Sequence, residues 1–202
     1  MKAKQATVPL AAALLLGSVT VACSVITGSG EIVTVDRSLD GFSRIDVSDG
    51  LAVELQIEAG ANHSVQVRYD DNLVDQIITR VSDGTLVVEY DGNVNFSGSG
   101  RAVLVVMPSL DGLSASGGSA ITASGDAASY SIDASGGSAI NTSALQANDV
   151  TVDVSGGAAV QLLAAASVTG EASGGAAVSV LGSPAVFDIQ SSGGASVDKV
   201  GD

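Results

Sequence analysis

The sequence predicts an all-β fold: a single-stranded parallel β-helix (a solenoid) with coils of about 19 residues and a less regular N-terminal capping half. Three observations lead there. One phrase occurs five times, first as Ala115-Ser116-Gly117-Gly118-Ser119-Ala120-Ile121. Its glycine pairs return at Gly136-Gly137, Gly156-Gly157, Gly174-Gly175 and Gly193-Gly194, at steps of 19, 20, 18 and 19 residues. The residues before each pair alternate, as in Val150, Val152 and Val154 against Thr151, Asp153 and Ser155, and a period of two is that of a strand. Aromatic residues make up only 3% of the 202-residue chain, which suits a core filled by small and β-branched side chains.

Residues 1–22 read as a lipoprotein signal peptide. Lys2 and Lys4 give a basic start, and the apolar run from Val8 to Val19 is shorter than the roughly 20 residues a bilayer-spanning helix needs. Thr20-Val21-Ala22-Cys23 is similar to a bacterial lipobox, whose cysteine is acylated and becomes the mature N-terminus. Thr20 stands where leucine is usual, so an ordinary signal peptide that leaves Cys23 free is the alternative. Ser24 after the cysteine fits outer-membrane sorting in a Gram-negative cell; otherwise the address is the cell surface. Residues 23–30 read as a lipidated tether and 31–202 as a single β-helical domain.

Within that domain, 31–106 is the irregular half. Alternating strands are expected at Leu51–Ile57, Ser64–Tyr69 and Thr85–Tyr90, and Asp70-Asp71-Asn72-Leu73-Val74-Asp75 reads as a turn with a helix cap. Ser48-Asp49-Gly50 and Ser82-Asp83-Gly84 echo the Ser-Gly-Gly corner, so this half is expected to cap the same solenoid. Gly98-Ser99-Gly100 reads as a hairpin tip. Residues 107–202 carry the repeats. Glycine pairs break helices and suit corners with positive φ, and stacking turns alignment columns into lines. One inward line is Ile121, Ile140, Val160, Val178, Val197; another is Leu113, Ile132, Val152, Gly170, Ile189. Serine fills a third: Ser116, Ser135, Ser155, Ser173, Ser192. The asparagine-and-leucine consensus of a leucine-rich horseshoe is absent.

The motif Gly41-Phe42-Ser43-Arg44-Ile45-Asp46-Val47-Ser48-Asp49-Gly50-Leu51 resembles the opening of the head GIN domain family of auto-transporter adhesins. Asp71-Asn72-Leu73-Val74-Asp75, Gly84-Thr85-Leu86-Val87-Val88 and Met107-Pro108-Ser109-Leu110-Asp111-Gly112-Leu113 match in order, as do the Ser-Gly repeats. The resemblance spans roughly residues 30–200. It implies a β-rich protein that is secreted or lipid-anchored, and it supplies no catalytic residues.

Composition narrows the chemistry. The formal charge is −14, which disfavours nucleic acid because a phosphate backbone needs a lysine and arginine footprint. The single cysteine excludes a disulfide framework. A serine that recurs five times reads as a corner, since a nucleophile is one residue activated by one base, and the lone His63 lies in the other half. The chain is therefore expected to be non-catalytic, with no cofactor: an adhesion, surface-interaction or envelope-scaffold module. An enzyme acting on surface polysaccharide, or an envelope-stress or signalling component, is the competing class. Asp133, Asp153 and Glu171 share one outward column between Ser114 and Gln190 and are the candidate Ca²⁺ ligands, although the Gly-Gly-x-Gly-x-Asp pattern of calcium β-rolls is missing. Two mixed polar columns, Thr122/Asn141/Gln161/Ser179/Asp198 and Ser131/Thr151/Thr169/Asp188, offer a flat face to a glycan or protein. The repeats run to Asp198-Lys199-Val200-Gly201-Asp202 without a capping domain, so the expected state is a monomer with weak end-to-end association.

Overall fold

A computed structural model describes residues 27–91 and 100–201. Among them β1 (Ile32–Arg37), β2 (Arg44–Val47), β3 (Ala52–Ile57) and β4 (Ser64–Asp70) come first. A single 3-10 turn follows at Val74–Gln76, then β5 (Ile77–Ser82), β6 (Thr85–Tyr90) and β7 (Ala102–Met107). The repeats carry β8 (Gly112–Ala115), β9 (Ala120–Ala134), β10 (Ala139–Val154), β11 (Ala159–Leu163), β12 (Ser167–Ala172), β13 (Ala177–Leu181), β14 (Val186–Ser191) and β15 (Ser196–Val200). The fold is all-β.

The strands form two rows. The first runs β1-β4-β7-β3-β9-β10-β11-β13-β15 and the second β5-β6-β2-β8-β9-β10-β12-β14; β9 and β10 are long enough to serve in both. From β8 onward every pairing is parallel, and its register follows the repeat. The inward line anticipated from the sequence is longer than the repeats. Val35, Val67, Val103, Val53, Ile121, Ile140, Val160, Val178 and Val197 stand in register across nine strands, and all but the two end members are buried. Alternation puts one side chain in two into this core, and each finds an apolar neighbour on the adjacent strand.

The glycine corners explain the repeat phrase. The first glycine of each pair has φ between 61° and 70°, a region costly to any residue with a Cβ. A Cβ on Gly156 would also lie 3.0 Å from the carbonyl oxygen of Gly136. The corners bond to one another through the backbone, Gly157 N–H to Gly136 O at 2.7 Å and Gly175 N–H to Gly156 O at 2.7 Å. Asp49 takes the same conformation (φ 61°) at Ser48-Asp49-Gly50, between β2 and β3, so this echo is a true corner. Ser82-Asp83-Gly84 is not: Asp83 and Gly84, both at positive φ, form the two-residue turn of the antiparallel β5–β6 hairpin.

The N-terminal half continues the stack and then closes it differently. β2 and β3 pair in parallel with β8 and β9, and β6 and β7 pair in parallel outside them. The chain must skip the β2–β3 rung in passing from β7 to β8, so here sequence order and stacking order part. β4, β1 and β5 then add antiparallel edges. β6 and β7 share no pairing, and of Gly98-Ser99-Gly100, expected as a hairpin tip, Gly98 and Ser99 lie outside the described residues. The expected helix cap is also absent: the turn at Val74–Gln76 has Leu73 at its N-cap and no side-chain cap bond. The aspartate just before it is used elsewhere, as shown next.

Candidate functional site

The outward side of the first row carries a ladder that is polar at every member but Leu104. Gln66, Leu104, Glu54, Thr122, Asn141, Gln161, Ser179 and Asp198 stand in register from β4 to β15. Two residues before each repeat member runs a parallel line of small groups, Ala52, Ala120, Ala139, Ala159, Ala177 and Ser196. Small beside long leaves a trough, an open groove of about 330 Å³ lined by Ala120, Ala139, Ala159 and Ala177 and by Thr122, Asn141, Gln161, Ser179 and Asp198. A second groove of about 440 Å³ shares Thr122 and is lined by Glu54, Gln56, Gln66, Leu104 and Ser124 among others. The Asn141 amide is oriented locally: its Oδ1 accepts bonds from Ser143 N–H (3.0 Å) and Oγ (2.7 Å). Below it, the Tyr130 hydroxyl donates to Thr142 Oγ1 at 2.8 Å, and Thr142 donates to the Gln161 carbonyl at 3.3 Å. Burial pushes the Tyr130 phenol up to about 12, so it is a fixed neutral strut. The arrangement offers amide, hydroxyl and carboxylate groups about 4.8 Å apart on a rigid frame.

The second row shows the other predicted column in an extended form: Arg44, Gly112, Ser131, Thr151, Thr169 and Asp188. Beside it run Asp46, Ser114, Asp133, Asp153, Glu171 and Gln190. Asp133, Asp153 and Glu171 therefore align as expected. Burial, and then the charge of Asp153, raise the Asp133 carboxyl, while Arg44 pulls it back. Among the described residues no three His, Cys, Asp or Glu side chains are grouped to hold a metal ion. The reason is geometric: strand spacing of about 4.8 Å sets carboxylates in a row, whereas Ca²⁺ takes 6–8 oxygens converging on one point. The calcium expectation thus has its residues in line but not its coordination sphere.

His63 is a packing residue. Its ring lies 4.4 Å from the Phe42 ring and its Nε2 is 2.7 Å from the Phe42 carbonyl. The corner serines bond through their backbones to the preceding rung, as Ser135 N–H does to Ala115 O at 3.0 Å. Cys23 lies outside the described residues.

No local sequence signal marks a clamp at the start of the body. Asp70 is fully buried and pairs with Arg101, whose Nη2 reaches Asp70 Oδ1 at 2.7 Å. The same Oδ1 accepts the Gly30 N–H at 2.7 Å. Asn72 brackets the strap from both sides, accepting from Ser29 N–H and donating to Thr27 O, each at 3.0 Å. Residues 27–30, the end of the expected 23–30 tether, lie against the 70–72 turn. The Arg101 guanidinium holds the Asp70 carboxyl down at about 2, against the opposing effect of burial.

A putative adhesin from Bacteroides fragilis is similar over 87% of this chain and 100% of its own, at 17% identity and a TM-score of 0.57. A putative adhesin from Parabacteroides merdae is similar over 87% and 98%, at 16% identity and a TM-score of 0.44. Among curated proteins none matches this chain in sequence. The family described as "Putative auto-transporter adhesin, head GIN domain" matches residues 41–126 and 93–184; with the Gly41–Leu51 opening and four of the five Ser-Gly corners inside those spans, the chain belongs to the head GIN domain family.

Proposed function

We propose that this protein is a non-catalytic recognition module of the bacterial cell envelope. Its 31–202 region is a single parallel β-helix whose N-terminal rungs are wound out of order, held to the membrane through an acylated Cys23. The observation that carries the reading is the in-register ladder Glu54–Thr122–Asn141–Gln161–Ser179–Asp198 along the alanine trough. Such a face has no chemistry to perform and many weak polar contacts to make, which is what adhesion asks of a surface. An extended polar partner, a glycan chain or an envelope protein, meets it rung by rung. The family's adhesin description and the adhesin-named similar structure from Bacteroides fragilis support this role. A protein of strongly acidic charge meets such a partner as a monomer.

Protease digestion of intact cells tests the address, with lysed cells as control. Loss of the protein from intact cells supports an outward adhesin. Survival until lysis contradicts it and leaves an envelope scaffold facing inward.

A further inference from the structure

One core-facing column ends on a cation at both edges of the first row. It starts at Arg37 on β1 and passes through Val65, Val105, Leu55 and Ala123. The register shifts where β9 meets β10, and the column resumes at Thr142, Leu162 and Val180 before ending at Lys199 on β15. Every member between the two cations is buried. Val33, Val35 and Val197, the alternate neighbours of the two cations, pack against the core, so strand alternation puts Arg37 and Lys199 on the core side as well.

The two side chains differ in depth: Arg37 is half-buried, with its Nε buried and unpartnered, whereas Lys199 is exposed. Arg37 Nη2 donates to the Val74 carbonyl at 3.3 Å. Lys199 Nζ donates to the Pro184 carbonyl at 3.4 Å and lies 5.8 Å from the centroid of the Phe187 ring. Phe187 is on β14, the edge strand of the second row, in register with buried Val168. Lys199 therefore spans from one row to the other across the end of the stack. It is also the one basic residue after Arg101. The end it crosses exposes Val186, Phe187 and Val200 at 49%, 36% and 54%.

Among the described residues β1 and β15 are the edge strands of the first row, and an edge beside exposed apolar groups is a template for another chain. The most complementary chain is a second copy, whose edge would continue the same columns. An in-register junction would then set Lys199 against Lys199, Arg37 against Arg37, or one against the other, about 4.8 Å apart in a seam emptied of water, where like charges repel most strongly. We infer that Lys199 and Arg37 terminate the sheet at its two edges and keep copies of this protein from joining edge to edge. They guard the surface on which a second copy would otherwise dock.

The test is sedimentation equilibrium of the purified protein and its K199V, K199R and K199V/V197K variants, with circular dichroism to confirm that each is folded. K199V restores the residue type that precedes it in the column and is expected to self-associate about tenfold more tightly, a shift of about 1.4 kcal/mol. K199R keeps the charge and matches the wild type. V197K moves a charge to the neighbouring core-facing position of the same edge strand and returns K199V to the wild-type state. A folded K199V no more associated than the wild type overturns the inference. So does association that V197K leaves unchanged, since the contact would then lie elsewhere.

Discussion

From β8 to β15 every strand pair is parallel and each corner repeats the one before it, whereas β1, β4 and β5 are joined antiparallel and pinned by contacts that occur once. The difference teaches where each half keeps its stability. In the repeats it is spread over equivalent positions, valine on valine and glycine on glycine. In the N-terminal half it is concentrated in long-range side-chain contacts such as Asp70 with Arg101, 31 residues apart. Substitutions that hit a unique contact and a repeated one separate the two.

Asp70→Asn is expected to give the largest loss. Removing one partner of a buried ion pair costs about 3–5 kcal/mol, and the lower figure applies because the Arg101 side chain keeps 12% exposure. Urea denaturation measures it. The same pair sets an acid limit. Asp70 titrates near 2 in the folded protein against 3.8 when free, so its contribution is full above pH 3.8 and is lost as pH falls through 2. An acid melt of Asp70→Asn should be flatter in that window than the wild type's.

Gly156→Ala comes next, at about 2 kcal/mol, from the left-handed conformation and the close Gly136 oxygen. Gly157→Ala, whose Cβ would lie 3.4 Å from that oxygen and whose φ is not positive, should cost clearly less. Equal costs would mean that the corner conformation is not what selects the first glycine.

Ser138→Ala should move stability the other way, by up to about 1 kcal/mol. The Ser138 hydroxyl is buried without a partner, while its counterpart Ser119 donates to the Val47 and Ser116 carbonyls. The later repeats already place Ala158, Ala176 and Ala195 there. A destabilised Ser138→Ala would reveal a partner for that hydroxyl.

Asp133→Asn gives the smallest effect, a gain of no more than about 0.5 kcal/mol at neutral pH, because solvent screens so exposed a carboxyl. Its folded pKa is raised, so the sign is opposite to that of Asp70: its contribution is full below the unfolded pKa and is lost as pH rises through the folded value. Thermal melts at neutral and acid pH distinguish the two carboxylates.

The repeats were legible because each one restates the same local rule. Alternation assigned the strands, and the spacing of Gly117, Gly136, Gly156, Gly174 and Gly193 fixed their register. The outward columns of the candidate face follow from that register alone. The N-terminal half was legible only strand by strand. Nothing local in Ala102–Met107 says that β7 lies outside β3, and nothing in Asp70-Asp71-Asn72 says that its side chains strap down residues 27–30. Those are contacts between distant residues, each made once. Asp83-Gly84 shows a different ambiguity: positive φ at both residues serves a hairpin there, as Asp49-Gly50 serves a corner, and only the strands that pair across it tell them apart.

The measurement that bears most directly on the proposed recognition face is binding of the purified protein to intact cells and to arrayed envelope glycans, compared between wild type, Ala159→Arg and Asp153→Asn. Ala159 is on the floor of the first-row trough, and Asp153 is on the opposite row. The account predicts that Ala159→Arg lowers binding at least about tenfold, which is about 1.4 kcal/mol, at an unchanged melting temperature, while Asp153→Asn binds like the wild type. Binding that survives Ala159→Arg, or that is lost only with Asp153→Asn, would contradict it.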